Sequence, residues 1–271
     1  MSAASRPGFA RVYAVELLCE EAPLLDRDEI LGRLRERCGA VAPVDPAEKV
    51  EGLNFHFPQH RVPFKEGSLP VQGVVAVSPR PVEEKFVSAA LGQTWDWEDA
   101  RRAVERHRAT VLVSDLLASG LPYKERLDLF QGALRGVLEA VPALGLLWRP
   151  SGRFVDVGRY LRSHRPGDDY DPLFGPVNVR MFPEEAAFTM DTLGLAALGL
   201  PDLQCRFSGM DGGRVAGLLH GAARYVYEMG DVIQDDHTVP GLEPGDRWPC
   251  RRAEALVPPA RAAIEILPPQ G

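Results

Sequence analysis

The spacing of apolar and polar residues along the chain changes several times, and each change marks a predicted element. Residues 11–19, RVYAVELLC, run apolar on alternating and then consecutive positions, which predicts a strand. In DRDEILGRLRERCG (26–39), Ile30, Leu31 and Leu34 fall on one face of a helix. Asp26 is placed to cap its start with Glu29 three residues on, and Gly39 to stop it. GLNFHFP (52–58) and GVVAVSP (73–79) predict two strands, each ended by its proline. VEEKFVSAALG (82–92) and WEDARRAVERH (97–107) predict helices.

A similar order then starts again. Residues 109–141 read as strand, acidic loop, proline-containing turn and amphipathic helix, and LGLLWRPSG (144–152) as the next strand. Aligning Val15 with Val113 superposes the two runs. The polar, turn-rich residues 158–176 predict a long surface loop, with Asp168 and Asp169 as candidate partner contacts. VNVRMFP (177–183) predicts a strand. In DGGRVAGLLHGAARYVYEMG (211–230), Asp211 is set to cap a helix whose buried stripe is Val215, Leu218, Leu219, Ala222, Val226 and Met229. Gly217 and Gly221, one turn apart, predict close approach of another element, and His220 lies off the stripe beside Ala216, Ala223 and Tyr227. Residues 247–257 and 261–268 predict closing strands. The fold class expected is α+β: two related β-α-β-β-type modules with mainly antiparallel sheets packed on helices, divided as 1–108 and 109–271.

The densest apolar stretch, MDTLGLAALGLPDLQCRF (190–207), carries glycines at 194 and 199. Asp191 is expected to cap a short helix that stops at Gly199 and Pro201. The strand after it is expected to turn Leu203, Cys205 and Phe207 inward and Gln204 and Arg206 outward, with Asp202 at the corner. Asp202, Gln204 and Arg206 are therefore candidate contacts.

Composition narrows the chemistry. The 271 residues are 45% hydrophobic and carry a net charge of −7, which disfavours a general phosphate-binding surface for nucleic acid. Electrostatics favour a basic protein partner. No apolar run reaches the length of a membrane span. Four cysteines, at 19, 38, 205 and 250, lack metal or redox spacing and predict reduced thiols in a cytoplasmic protein.

Motifs for catalysis fail on inspection. No glycine loop ends in the Lys-Ser or Lys-Thr that a phosphate-binding loop needs, and no G-x-S-x-G elbow occurs. His56 and His60 flank Pro58 in a predicted strand, without the helical glutamate of a zinc protease. GDVIQDDHTVPG (230–241) gathers Asp231, Asp235, Asp236 and His237, yet consecutive residues of an extended chain point to opposite faces. A polar hairpin turn is expected there. No cofactor and no metal is expected.

From about 177 to 268, the segments MDTLGLAALGLPDLQCRF, YVYEMGDVI, HTVPG, RWPCR and ALVPPARAAIEILP, in that order, resemble the bacterial domain-of-unknown-function family 4261. The resemblance implies a bacterial, cytoplasmic α+β protein and brings no activity or catalytic residue. The leading functional expectation is a non-enzymatic protein-binding protein: an immunity or adaptor protein whose partner is a basic toxin or secretion component. The alternatives are a small-molecule hydrolase with a site near His220, Asp235, Asp236 and His237, and a structural homo-oligomer.

Overall fold

The computed structural model describes residues 12–44, 52–165, 167 and 170–269. The described residues divide into two compact units, one within 12–175 and the other within 176–269. The candidate contacts Asp168 and Asp169 lie outside the described residues.

The first unit runs β1 (Ala14–Cys19), α1 (Arg27–Cys38), β2 (Ala42–Pro43), β3 (Gly52–Phe64), β4 (Gly67–Ser78), α2 (Glu84–Leu91), α3 (Ala100–Arg106), β5 (Ala109–Leu116), α4 (Tyr123–Ala140), β6 (Gly145–Trp148), β7 (Arg153–Val155) and α5 (Val157–Ser163). Its strands form one antiparallel sheet in the order β2-β3-β4-β5-β1-β6-β7. The expected module boundary at 108/109 is corrected by this pairing. β5 lies between β1 and β4, so a cut before it would sever the middle of the sheet. Val15 and Val113, which the sequence alignment superposed, are cross-strand partners.

β1 is covered on both faces, which explains its continuous apolar run. On one face, Leu18, Leu147 and Phe154 pack with Val87 and Ala90 of α2 and Ala100 and Val104 of α3. α1 crosses α4 closely: a Cβ on Gly136 would sit 3.2 Å from the Arg33 carbonyl, and one on Gly132 3.0 Å from Cys38 Sγ. The Asp26 side chain accepts a bond from Glu29 N at 2.9 Å, as its capping position predicts.

Two local expectations change. Pro58 does not end a strand; β3 continues through a register shift between Phe57 and Arg61, a bulge that absorbs the missing proline donor. The predicted loop 158–176 begins instead as α5, capped by Asp156, with Tyr160 fully buried.

The second unit runs β8 (Asn178–Pro183), β9 (Phe188–Leu193), β10 (Asp202–Phe207), α6 (Gly212–Met229), β11 (Thr238–Pro240), β12 (Arg247–Glu254) and β13 (Ala262–Ile266). The sheet order is β11-β12-β13-β10-β9-β8, antiparallel except for the β10–β13 pair. Asp211 caps α6, accepting from Arg214 N at 2.8 Å. The buried face of α6 is Val215, Leu219, Ala223, Val226 and Tyr227. The predicted stripe is thus rotated: Ala223 and Tyr227 turn inward, Leu218 and Ala222 are only half-buried, and Met229 is exposed.

A geometric limit follows. Six strands spaced about 4.8 Å apart are wider than one helix of about 10–12 Å. α6 packs on β8, β9 and β10. The β11–β12 end of the sheet extends past the helix.

Candidate functional site

Two features of the second unit compete for a functional role, a buried charge network and an open groove.

The network lies on the side of the sheet away from α6 and includes much of the 190–207 stretch. Asp191 caps nothing; it sits in β9, buried, where Arg180 donates through Nε at 2.9 Å and Nη2 at 2.5 Å. Arg261 Nη2 donates to the same carboxylate at 2.7 Å. The capping role falls to Asp202, which accepts from Leu195 N at 3.1 Å and Ala196 N at 3.3 Å, the free amides opening a 3-10 turn at Leu195–Leu198. Asp202 also takes Thr192 Oγ1 at 2.9 Å and Arg261 Nε at 2.9 Å. Burial pushes its carboxyl above its usual range, against the pull of Arg261 and these donors.

Arg261 has no donor left over. Nη1 bonds the carbonyls of Val257 and Pro259, and Nη2 also bonds that of Thr192. Arg180 Nη1 bonds the Pro258 carbonyl. Gln204, expected to face out, is buried and holds the same segment, donating to the Glu254 carbonyl and accepting from Leu256 N at 2.8 Å. The network therefore pins residues 254–261 against the sheet and has no free guanidinium for a ligand. Of the three candidates here, Asp202 and Gln204 are internal, and only Arg206 is exposed, paired with Glu184.

The groove lies on the other side, beside the part of α6 that the sheet leaves uncovered. Its volume is about 820 Å³. One wall is α6, with Leu218, Gly221, Ala222 and Tyr225; the other comes from Val232, Ile233, β11 and residues 241–242. Tyr225 is 50% exposed and Val232 41%, large apolar surface for one cleft. The second wall needs glycine at 241, where a Cβ would stand 2.3 Å from Trp248 Nε1. Gly217 and Gly221 were expected to meet a packed neighbour, yet neither has an atom within 4 Å of its Cβ position. That surface of α6 is bare.

The acidic hairpin is placed but not assembled into a centre. Asp235 accepts from Arg252 N at 2.6 Å, and Asp231 pairs with the Arg252 guanidinium. Asp236 adopts a left-handed turn with φ 65°. His237 borders the groove, whereas His220 is not among its lining residues. Among the described residues, no three His, Cys, Asp or Glu side chains are grouped to hold a metal ion. The basic residues lining the groove are Arg214, His237 and Arg247. Arg214 is paired with Glu243 at 2.9 Å, while Arg247 donates to the Asp246 carbonyl at 3.0 Å and has no carboxylate partner among the described residues. The sequence reading missed this groove because its walls are contributed by α6, a turn and an edge strand whose separation only the fold reveals.

The first unit also holds a buried pair. Asp115 takes Arg126 Nε at 2.6 Å and Nη2 at 3.0 Å, and accepts from Tyr13 N at 2.7 Å. It ties β5 to α4 and lies beside a cavity large enough for about one water molecule.

Residues 191–267 match the model of a domain of unknown function, DUF4261. The match opens at Asp191 and closes just after β13, so it covers the charge network apart from Arg180, and both walls of the groove. No curated protein and no solved structure matches the chain.

Proposed function

We propose that the protein is a non-enzymatic binding protein, and that the groove beside α6 receives a segment of a partner protein. The observation that carries this reading is the exposed apolar lining, with Tyr225 and Val232 both accessible in a cleft of about 820 Å³. Aromatic anchors beside aliphatic walls are what partner surfaces concentrate. An adaptor or immunity role in a bacterial toxin or secretion system is the form of this reading that we favour. The chain's net charge of −7 assists encounter with a basic protein.

The hydrolase alternative draws less support. Asp235 and Asp231 are engaged by Arg252, and His237 borders the groove without either carboxylate among the lining residues.

The test is capture of the product of an adjacent reading frame, by the full chain and by Leu218→Glu. Leu218 is half-buried on the groove wall, so the substitution leaves the buried face of α6 intact. Capture by the native chain and its loss in the variant, with an unchanged thermal transition, support the proposal. Equal capture by both chains, or none by either, overturns it.

A further inference from the structure

We infer that the segment seated in the groove is an acidic amphipathic helix, an inference that rests on the binding role proposed above. Three observations point to that occupant.

The first is the shape of the wall. Arg214, Leu218, Gly221, Ala222 and Tyr225 follow one face of α6 over three turns, a straight edge of about 16 Å. A groove bounded along its length by a helix accepts another helix laid beside it, with apolar side chains at three- and four-residue spacing.

The second is the glycine spacing. In the first unit, Gly132 and Gly136 of α4 are four residues apart and are both covered closely by α1. Gly217 and Gly221 of α6 have the same spacing with open space over both. Glycines in a helix interior destabilise it relative to alanine, and close approach of a second backbone is what offsets that cost. α4 has its covering helix; α6 has the same surface without one.

The third is local charge. The whole chain is acidic, but the groove lining holds two arginines and a histidine and no carboxylate. Arg214 is largely spoken for by Glu243 and the Leu242 carbonyl. Arg247 is exposed and has no carboxylate partner among the described residues. The occupant therefore carries carboxylates where it passes Arg247, whatever the sign of the rest of its surface. A long-range attraction for a basic protein and a short-range requirement for acid at one segment are compatible, because surface charge acts through separate patches.

The experiment uses the full chain and two fluorescent synthetic peptides with identical apolar residues at helical spacing, one with glutamate on its flanks and one with lysine. Fluorescence anisotropy is read at low and at moderate salt. The glutamate peptide is expected to bind about tenfold more tightly at low salt, and Arg247→Gln to weaken it about fivefold while leaving the lysine peptide unchanged. Leu218→Glu abolishes binding of both. Equal or tighter binding of the lysine peptide overturns the inference, as does a preference for the glutamate peptide that is undiminished in Arg247→Gln. Sodium laurate, below its micellar concentration, is the third arm: binding of laurate with neither peptide bound overturns the inference in favour of a small amphiphile. If no peptide binds while partner capture still depends on Leu218, the acidic helix is wrong and the groove's binding role stands. If capture is insensitive to Leu218, the binding role itself has failed.

Discussion

Replacing Arg261 with alanine tests the structural role assigned to the buried network. Arg261 is 5% exposed and, among the described residues, is the only cation bonded to Asp202, which is fully buried. Asp191 would retain both bonds from Arg180, so the loss falls mainly on Asp202. Removing one partner of a buried ion pair costs about 3–5 kcal/mol, because the remaining charge stays desolvated. For a unit of roughly this size, 3 kcal/mol lowers the transition midpoint by more than about 10 °C. The pH dependence has a definite sign. A buried carboxyl whose pKa lies above its ordinary 3.8 stabilises the fold while protonated, and that contribution is lost as pH rises through its folded value. Loss of Arg261 raises the folded value further, so the deficit of Arg261→Ala grows as pH rises above the ordinary carboxyl value of 3.8. Asp202→Asn placed in the same background should recover part of it by removing the stranded charge. Calorimetry on the native chain, both single variants and the double variant gives the answer. An Arg261→Ala cost below about 1 kcal/mol, or an Asp202→Asn cost that adds in full, would refute the reasoning.

Other outcomes follow from the same structure. Gly194 has φ 140°, and a Cβ there would stand 2.1 Å from the Pro176 carbonyl, so Gly194→Ala should destabilise the second unit by about 3 kcal/mol or more, read by calorimetry. Burial pushes the thiol of Cys19 up to about 11 and those of Cys38 and Cys205 up to about 12, and raises that of Cys250. Ellman's reagent at pH 8 should therefore react slowly with the native chain and rapidly with four thiols after denaturation. His164 is 4% exposed and packs at a tilt against the Tyr160 ring, and burial holds its pKa below 6.5. The unfolded chain takes up that proton first, so urea titrations should show stability falling as pH drops below 6.5, and His164→Phe should flatten the fall. Asp211→Ala removes the cap of α6 and should cost about 1 kcal/mol by urea titration.

Much of the fold was legible because it is written in local pattern. The caps at Asp26 and Asp211 depend on residues three positions away, and α1 and α6 start where those caps predict. Strand positions such as Leu203, Cys205 and Phe207 followed simple alternation. What failed depended on distant partners. Asp191 and Asp202 differ little in local context, but only Asp202 faces the open amides of the 195–198 turn, and only the fold brings Arg261 to both. Gln204 alternates outward by rule, yet the returning 254–261 segment covers that side of the sheet. The module boundary failed for the same reason: β5 follows a helix and a polar turn in sequence but inserts between β1 and β4. The groove was invisible because it results from a mismatch in width between one helix and six strands.

Hydrogen exchange on the full chain, free and bound to the captured partner, tests the central claim most directly. The claim predicts new protection concentrated in residues 214–225 of α6 and in residues 231–242, the two walls of the groove. Protection of the first unit alone, or of the 254–261 segment with the groove walls unchanged, would contradict it.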